Sequence, residues 1–437
     1  MKAVIFTNGL TVSRGKKSKD GPTPLKEVGS KPLLHWQLAC LKDNGIDDIV
    51  LVVDPINKNL IKDEFAFGNA LGVQLTYVDS DASLGTAGVL FHLAKFIHED
   101  FLWIDGNLMF DLDFSRMLAF HESHPSTITV FAHPKPHPEE EDIYVVNKDE
   151  KVINVLPRKD KRNEYYDNLS PEGIFLISKD FLETFDGMDG PIEIDFNEEI
   201  LLPTISCEGV YAYSSSEYVK SCSSSSRIAE VNRDQNNGII HAKNLKNPQK
   251  AIFLDRDGVI NHFGDYVTDA SILEVFPFAS KAIKAINDSG YLAIVITNQP
   301  VVARGDTSLA ELHNIHAKMQ DVLGLGGAYL DAIYVCPHFP EHVSERSVPE
   351  LTIVCNCRKP KTGMIDQAKE KFNIDLSASY FIGDHYRDVK TANNAGIKSI
   401  HVLSGDLDYI GRFGDAKPDY VCENIVSAVD LILSKRS

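Results

Sequence analysis

Lys250–Gly258 reads KAIFLDRDG, an apolar run, AIFL, closed by two carboxylates one residue apart. A run of that length bounded by polar residues reads as a buried strand. In parallel α/β sheets ligands collect beyond the carboxyl ends of the strands. A carboxylate at that position points into the crevice. Asp255 is placed to attack phosphorus and form an aspartyl-phosphate. Asp257 is placed to protonate the leaving oxygen and then to activate water. The alternative for such a pair standing alone is a metal-binding or capping DxD in a turn.

The residues further along the chain take up the same chemistry. LAIVITNQ ends a second strand in Thr297 and Asn298, whose side chains suit phosphoryl oxygens. CRKP supplies Arg358 and Lys359, fixed cations for the charge of a transferring group. YFIGDHYRD ends another strand in Gly383 and Asp384, with Asp388 one turn later. Asp384 would complete a magnesium site with Asp255 and the backbone carbonyl of Asp257, since magnesium takes few carboxylates together with waters and phosphate oxygens.

In this order and spacing the four motifs resemble the haloacid dehalogenase superfamily from about residue 250 to 437. The resemblance implies a magnesium-dependent phosphomonoester hydrolase with Asp255, Asp257, Thr297 and Lys359 as its catalytic residues. Within that half, Cys336 and His338 form CPH, and Cys355 and Cys357 form CNC just before Arg358. Three thiolates and an imidazole make a closed, structural zinc site. A redox thiol pair is the alternative, though no CxxC is present. Zinc there would pin the loop carrying Arg358 and Lys359. The pattern looks like the histidinol-phosphate and heptose-bisphosphate phosphatase branch. Ala303-Arg304-Gly305 resembles the ARG of the heptose enzymes, and Tyr266 closes a matching loop after the nucleophile. The resemblance therefore implies substrate contacts from Tyr266, Asn298, Gln299, Arg304 and Arg358. Two features depart from it: Pro300-Val301 stands where Ser-Gly is usual, and 16 residues separate His338 from Cys355.

Residues 1 to about 232 resemble sugar-1-phosphate nucleotidyltransferases. KPLLHWQLACLKDNGIDDIVLVV (31–53), Ser83–Gly88 and FLWIDGNLMFDLDFSRML (101–118) carry the framework. The catalytic positions differ. The phosphate loop reads Asn8–Arg14 with a glycine lost where backbone must approach a triphosphate. The family's lysine falls at Thr23, and its two metal aspartates fall at Asn107 and near Ser221, with Asp105 close by. The reading is a degenerate domain that binds a sugar phosphate or nucleotide, or serves assembly. The alternative is an active transferase using Asp105 and Arg14 in shifted roles.

The expected fold class is α/β, two doubly wound and mainly parallel-sheet domains at 1–232 and 250–437, joined by a polar, solvated Asn/Ser-rich linker at 233–249, with a short helix expected just before it near Arg227–Arg233. Strands are expected at 3–6, 49–53, 74–78, 101–104 and 127–131, then at 251–254, 292–297, 332–335, 380–382 and 399–402. A chain of 437 residues is long for one core. Lys and Arg total 44 against 62 Asp and Glu, so the net charge of −18 argues against nucleic acid as the main partner. No apolar run approaches a membrane span, and the start MKAVIFTNGL lacks signal-peptide character; a cytoplasmic protein is expected. His121, His124, His133 and His137, and the acidic Glu139–Asp142, are expected on the solvated surface.

Overall fold

The computed structural model describes residues 1–7, 22–80, 84–162, 164–183, 193–207, 209–263, 266–405, 413 and 415–435. The loop Asn8–Arg14 and Ser83 lie outside the described residues. The chain divides into two compact units. The first comprises Met1–Ala132, Tyr144–Val155 and Pro171–Asn244; the second comprises His133–Ile143, Leu156–Ser170 and Leu245–Ser437.

In the first unit the main strands are β1 (Lys2–Phe6), β2 (Asp48–Val53), β3 (Gln74–Asp79), β4 (Phe101–Asp105), β5 (Leu108–Asp111), β6 (Ile128–His133), β7 (Ser170–Ile177), β8 (Val210–Ser214) and β9 (Tyr218–Ser221). Seven of them form one sheet in the order β8-β6-β7-β4-β1-β2-β3. β1 pairs in parallel with β2 and β4. β7 runs antiparallel to β4, pairing Ile174 with Ile104, so the sheet is mixed rather than purely parallel. The alternation of strands and helices could not reveal a strand that enters from a neighbouring loop. The core packs Ile5, Leu38, Leu51 and Ile104 at 0% exposure.

The connector is helical where a short helix was expected, near Arg227–Arg233, but it is longer and not wholly solvated. Beyond helices α1 (Leu33–Asp43) and α2 (Phe114–Ser123) of this unit, the residues here form helix α3 (Ser225–Asn236) and the short α4 (Ile239–Ala242). The Ser224 hydroxyl caps α3 by accepting from the Arg227 amide. Val231 and Ile240 are buried with Val28, Leu33 and Met109, so sparse apolar residues at helical spacing anchor an otherwise polar stretch. His121 likewise departs from a surface reading. It is 4% exposed, its Nδ1 lies 2.8 Å from Thr129 Oγ1, and burial lowers its pKa. His137 is exposed, as are Glu139 and Glu140.

The second unit is built on β10 (Ala251–Leu254), β11 (Leu292–Asn298), β12 (Ala332–Cys336), β13 (Tyr380–Gly383), β14 (Lys398–Val402) and β15 (Tyr420–Cys422). The order is β12-β11-β10-β13-β14-β15, with every adjacent pair parallel. The chain runs outward from β10 in one direction and then returns to β13 on its other side. That reversal opens a crevice beyond the carboxyl ends of β10 and β13. Helices α5 (Ala279–Ser289), α6 (Leu309–Leu325), α7 (Gly363–Phe372), α8 (Tyr386–Ala395) and α9 (Ile425–Ser434) accompany the sheet. On α5, Ala279, Ala282, Ile283 and Ile286 form the buried stripe. Asp167, in one of the two segments contributed by the N-terminal half, accepts from Gln320 and pairs with His313, both on α6. No helix among the described residues is long and apolar enough to cross a membrane.

Candidate active site

Asp255 leaves β10 at the crevice, and Gly383 and Asp384 leave β13 beside it. Asp255 is 5% exposed, and its Oδ1 accepts from the Arg256 amide at 2.7 Å. Lys359 reaches it from the loop before α7, with Nζ 2.8 Å from Asp255 Oδ2 and 2.6 Å from Asp388 Oδ1. Asp388 uses its other oxygen to accept from the His385 amide at the start of α8, which fixes the helix against the site. Burial and the neighbouring Asp388 push the Asp255 carboxyl up to about 6, against the pull of Lys359. Burial also opposes ionisation of Asp388, but Lys359 and Arg387 outweigh it and hold that carboxyl below the usual range.

Asp255, Asp384 and Asp388 bring carboxylate oxygens within 4.8 Å of one another. Lys359 pairs two of the three. The Asp384 carboxylate fits a cradle of bare backbone: a Cβ on Gly258, at φ +76°, would fall 2.2 Å from its Oδ2, and one on Gly405 would fall 1.9 Å away. Hard oxygen donors in excess over fixed cations, held where water and phosphate oxygens can complete the shell, fit magnesium. The Asp257 carboxylate is not part of this group. It is gripped by Arg256, whose Nε and Nη2 donate to it at 3.1, 2.9 and 3.0 Å, and by Asn261 and Gln299 at 2.9 Å each. Burial raises its pKa, but these donors outweigh burial and leave it lowered.

The remaining expected residues fall into two groups. Thr297 is 1% exposed, and its hydroxyl accepts from Gln299 Nε2, which frees its own hydrogen to donate. Gln299, read as a substrate contact, is 1% exposed and ties Asp257 to Thr297. Asn298, read the same way, turns its amide to the Lys359 backbone, donating to the carbonyl at 3.2 Å and accepting from the N–H at 3.0 Å. Both amides therefore organise neighbours. Tyr266, Arg304 and Arg358 do converge. The Arg304 guanidinium lies 4.8 Å from the Tyr266 ring and 4.8 Å from the Phe339 ring, with Arg358 5.1 Å from Phe339. Burial, then Arg387 and Arg304, lowers the Arg358 pKa, as expected where cations crowd. The long segment between His338 and Cys355 packs here: Val348 donates to the Ala303 carbonyl, Arg346 pairs with Asp306, and Leu351 joins Val301 and Val302.

Cys336, His338, Cys355 and Cys357 gather at the end of β12. The Sγ–Sγ and Sγ–Nδ1 separations run from 3.2 to 3.7 Å. Disulfide sulfurs would stand about 2.05 Å apart. A tetrahedron with metal–sulfur bonds of about 2.3 Å has edges near 3.8 Å, so the four donors fit zinc. Arg358 Nη1 donates to the His338 carbonyl at 3.1 Å, tying this corner to the cleft. Arg256, Asn261, His316, Phe339 and Arg387 were not singled out in the sequence. The one available signal was a charged residue, Arg256, between two carboxylates.

The HAD-hydrolase-like family matches residues 356–428, and the nucleotidyl transferase family matches 18–186. The chain is 37% identical over 185 residues to the D-glycero-beta-D-manno-heptose-1,7-bisphosphate 7-phosphatase of Haemophilus ducreyi, covering 42% of this chain and 98% of that one. The chain belongs to the haloacid dehalogenase-like phosphatases. It is also 35% identical over 195 residues to a D-glycero-D-manno-heptose-1,7-bisphosphate 7-phosphatase of Thermosynechococcus vestitus, covering 42% of this chain and 96% of that one. The crystal structure of D,D-heptose 1,7-bisphosphate phosphatase from B. bronchiseptica with magnesium and phosphate is 32% identical. It covers 43% of this chain and 99% of that one, at a TM-score of 0.37. The N-terminal half resembles the nucleotidyltransferases.

In the first unit Asn107 and the Ser221 region do meet: the Cys222 amide donates to the Asn107 carbonyl at 2.6 Å, and Ser221 pairs with Leu108 across β9 and β5. Asp105, 5% exposed, accepts from the Asn107 amide at 2.9 Å.

Proposed function

We propose that this phosphatase hydrolyses a sugar bisphosphate, D-glycero-D-manno-heptose 1,7-bisphosphate, at its 7-phosphate, in the cytoplasm and in the service of nucleotide-sugar or surface-polysaccharide synthesis. The observation that carries the reading is Asp255 at the end of the central strand, flanked by Lys359 on one side and the Asp257 strand-end loop on the other. The Asp255 carboxylate attacks phosphorus while the bond to the sugar oxygen breaks, and Asp257 gives that oxygen a proton. Water then attacks the aspartyl-phosphate and gives its proton to Asp257. The phosphorus–Asp255 bond breaks, releasing inorganic phosphate and the free carboxylate. Asp257 rests ionised, and the charge of an incoming phosphate beside it raises its proton affinity.

Asp255, Asp384 and the Asp257 carbonyl would hold magnesium, which would supply a Lewis acid for the phosphoryl oxygens. Lys359 and the Thr297 hydroxyl steady the same oxygens. Two guanidiniums, Arg304 and Arg358, lie over one ring, Phe339, which suits a second anionic group on the substrate. Cys336, His338, Cys355 and Cys357 would hold zinc and thereby fix the loop that carries Arg358 and Lys359. The first unit we read as a ligand-binding or assembly domain without transferase chemistry, because neutral Asn107 and Ser221 stand where metal carboxylates are needed. A phosphate-release screen of the purified protein against sugar mono- and bisphosphates tests the substrate. Turnover of the heptose bisphosphate no faster than that of simple hexose phosphates refutes it.

A further inference from the structure

Arg256 is 0% exposed and so reaches no substrate, yet it lies between the attacking carboxylate and the proton donor. One edge of its guanidinium, Nε and Nη2, forks onto Asp257. Its remaining nitrogen, Nη1, lies 3.2 Å from Nε2 of His316, which is 6% exposed on α6. A guanidinium only donates, so the ring must present a lone pair at Nε2. His316 is therefore neutral, with its proton on Nδ1. A protonated ring would set two cations in a buried contact, and burial together with Arg256 accordingly lowers its pKa to about 3.

We propose that His316 is a positioning residue for phosphoryl transfer: by accepting from Nη1 it fixes the rotation of the Arg256 guanidinium, which in turn aims the Asp257 carboxyl at the leaving oxygen. Without that acceptor, Arg256 retains one N–H unsatisfied in the core and swings to satisfy it, taking Asp257 with it. α6 is held in place for this task. Glu311 accepts from the Ala270 amide, and Lys318 donates to the carbonyls of Ala270 and Leu273.

The proposal rests on Asp257 as the proton donor, and the test separates the two. Phosphate release is measured as kcat/KM on p-nitrophenyl phosphate, whose leaving group needs little proton assistance, and on mannose 6-phosphate, whose alkoxide needs it. Asp257→Asn should lose about 100-fold or more on the sugar phosphate and far less on the aryl phosphate. His316→Leu should show the same selectivity on a smaller scale, about tenfold against less than about threefold. His316→Gln, whose amide oxygen can replace the Nε2 lone pair, should restore most of the loss. Equal losses on both substrates, or none on either, overturn the proposal. If Asp257→Asn itself shows no selectivity, the role of Asp257 falls and takes this inference with it. If His316→Leu does not fold, His316→Asn against His316→Gln decides. The shorter amide cannot reach Nη1, so an unselective His316→Asn equally overturns it.

Discussion

The Lys359 ammonium lies 2.8 Å from Asp255 and 2.6 Å from Asp388, and its own side chain is 0% exposed. Two buried carboxylates are thus bridged by one ammonium. Removing it leaves them facing each other with only the more distant Arg387 to offset their charge. Lys359→Met should destabilise the second unit by about 3–5 kcal/mol, the usual result of breaking a buried pair from one side, and should abolish turnover. Urea unfolding beside a phosphate-release assay reads both. A variant as stable as the parent would show that the lysine does not neutralise the pair.

Asp255→Asn separates chemistry from folding. The amide keeps the shape, and Lys359 keeps Asp388 as a partner. Turnover should fall by about 10³-fold or more, as for other groups that bond directly to the reacting centre. The unfolding midpoint should change little. Retention of more than a few per cent of the parent rate would refute the aspartyl-phosphate route.

Zinc should be present at about one ion per chain, because four donors at tetrahedral spacing leave no open position. Cys355→Ser should lose the metal and lower the melting temperature of the second unit, since metal binding and folding are linked. Turnover should fall with it through Arg358, which donates to the His338 carbonyl. Metal analysis that finds no zinc, or parent-like melting of the serine variant, would remove this site.

His316 gives a pH dependence with a definite sign. Burial lowers its folded pKa from 6.5 to about 3. Between those values the unfolded chain binds a proton that the folded chain does not, so stability falls as pH drops below about 6.5. One such proton contributes a slope of about 1.4 kcal/mol per pH unit. Urea unfolding at pH 7, 6 and 5 should show a steeper acid loss for the parent than for His316→Gln. Parallel slopes would mean that His316 titrates normally in the fold.

Much of the second unit was legible because its chemistry is local. Asp255, Asp384 and the strands that carry them are each announced by an apolar run ending in a carboxylate, and the Cys/His spacing confines its four donors to two short strings. What escaped was contact across distance. Arg256 and His316 are 60 positions apart, and a histidine among apolar residues on a helix gives no sign of what it faces. Gln299 and Asn298 were identified as site residues, but their polarity alone could not say whether an amide turns to substrate or to Asp257 and Lys359. In the first unit β7 arrives antiparallel, a direction that alternating strands and helices do not encode. Helix α3 was expected only as a short helix near Arg227–Arg233, because in so polar a stretch the single buried Val231 gives little sign of its full length.

The first unit supplies the last prediction. Mixing the full-length protein with a sugar 1-phosphate, GTP or another nucleoside triphosphate, and magnesium should release no pyrophosphate above background. The attacking phosphate and the triphosphate repel each other, and a carboxylate-held divalent cation ordinarily offsets that repulsion. The resemblance puts the family's two metal aspartates at Asn107 and near Ser221, whose backbones run close together, with the Cys222 amide bonded to the Asn107 carbonyl and Ser221 paired with Leu108. Neither Asn107 nor Ser221 carries charge. Asp105 is 5% exposed, and its Oδ1 accepts from the Asn107 amide. Restoring both carboxylates, Asn107→Asp with Ser221→Asp, need not revive transfer, because the resemblance also puts Thr23 where the family carries a lysine. The unmodified protein decides the matter. Magnesium-dependent pyrophosphate release that Asp105→Asn abolishes and Asp255→Asn leaves intact would establish a second active site in this chain and a two-step enzyme.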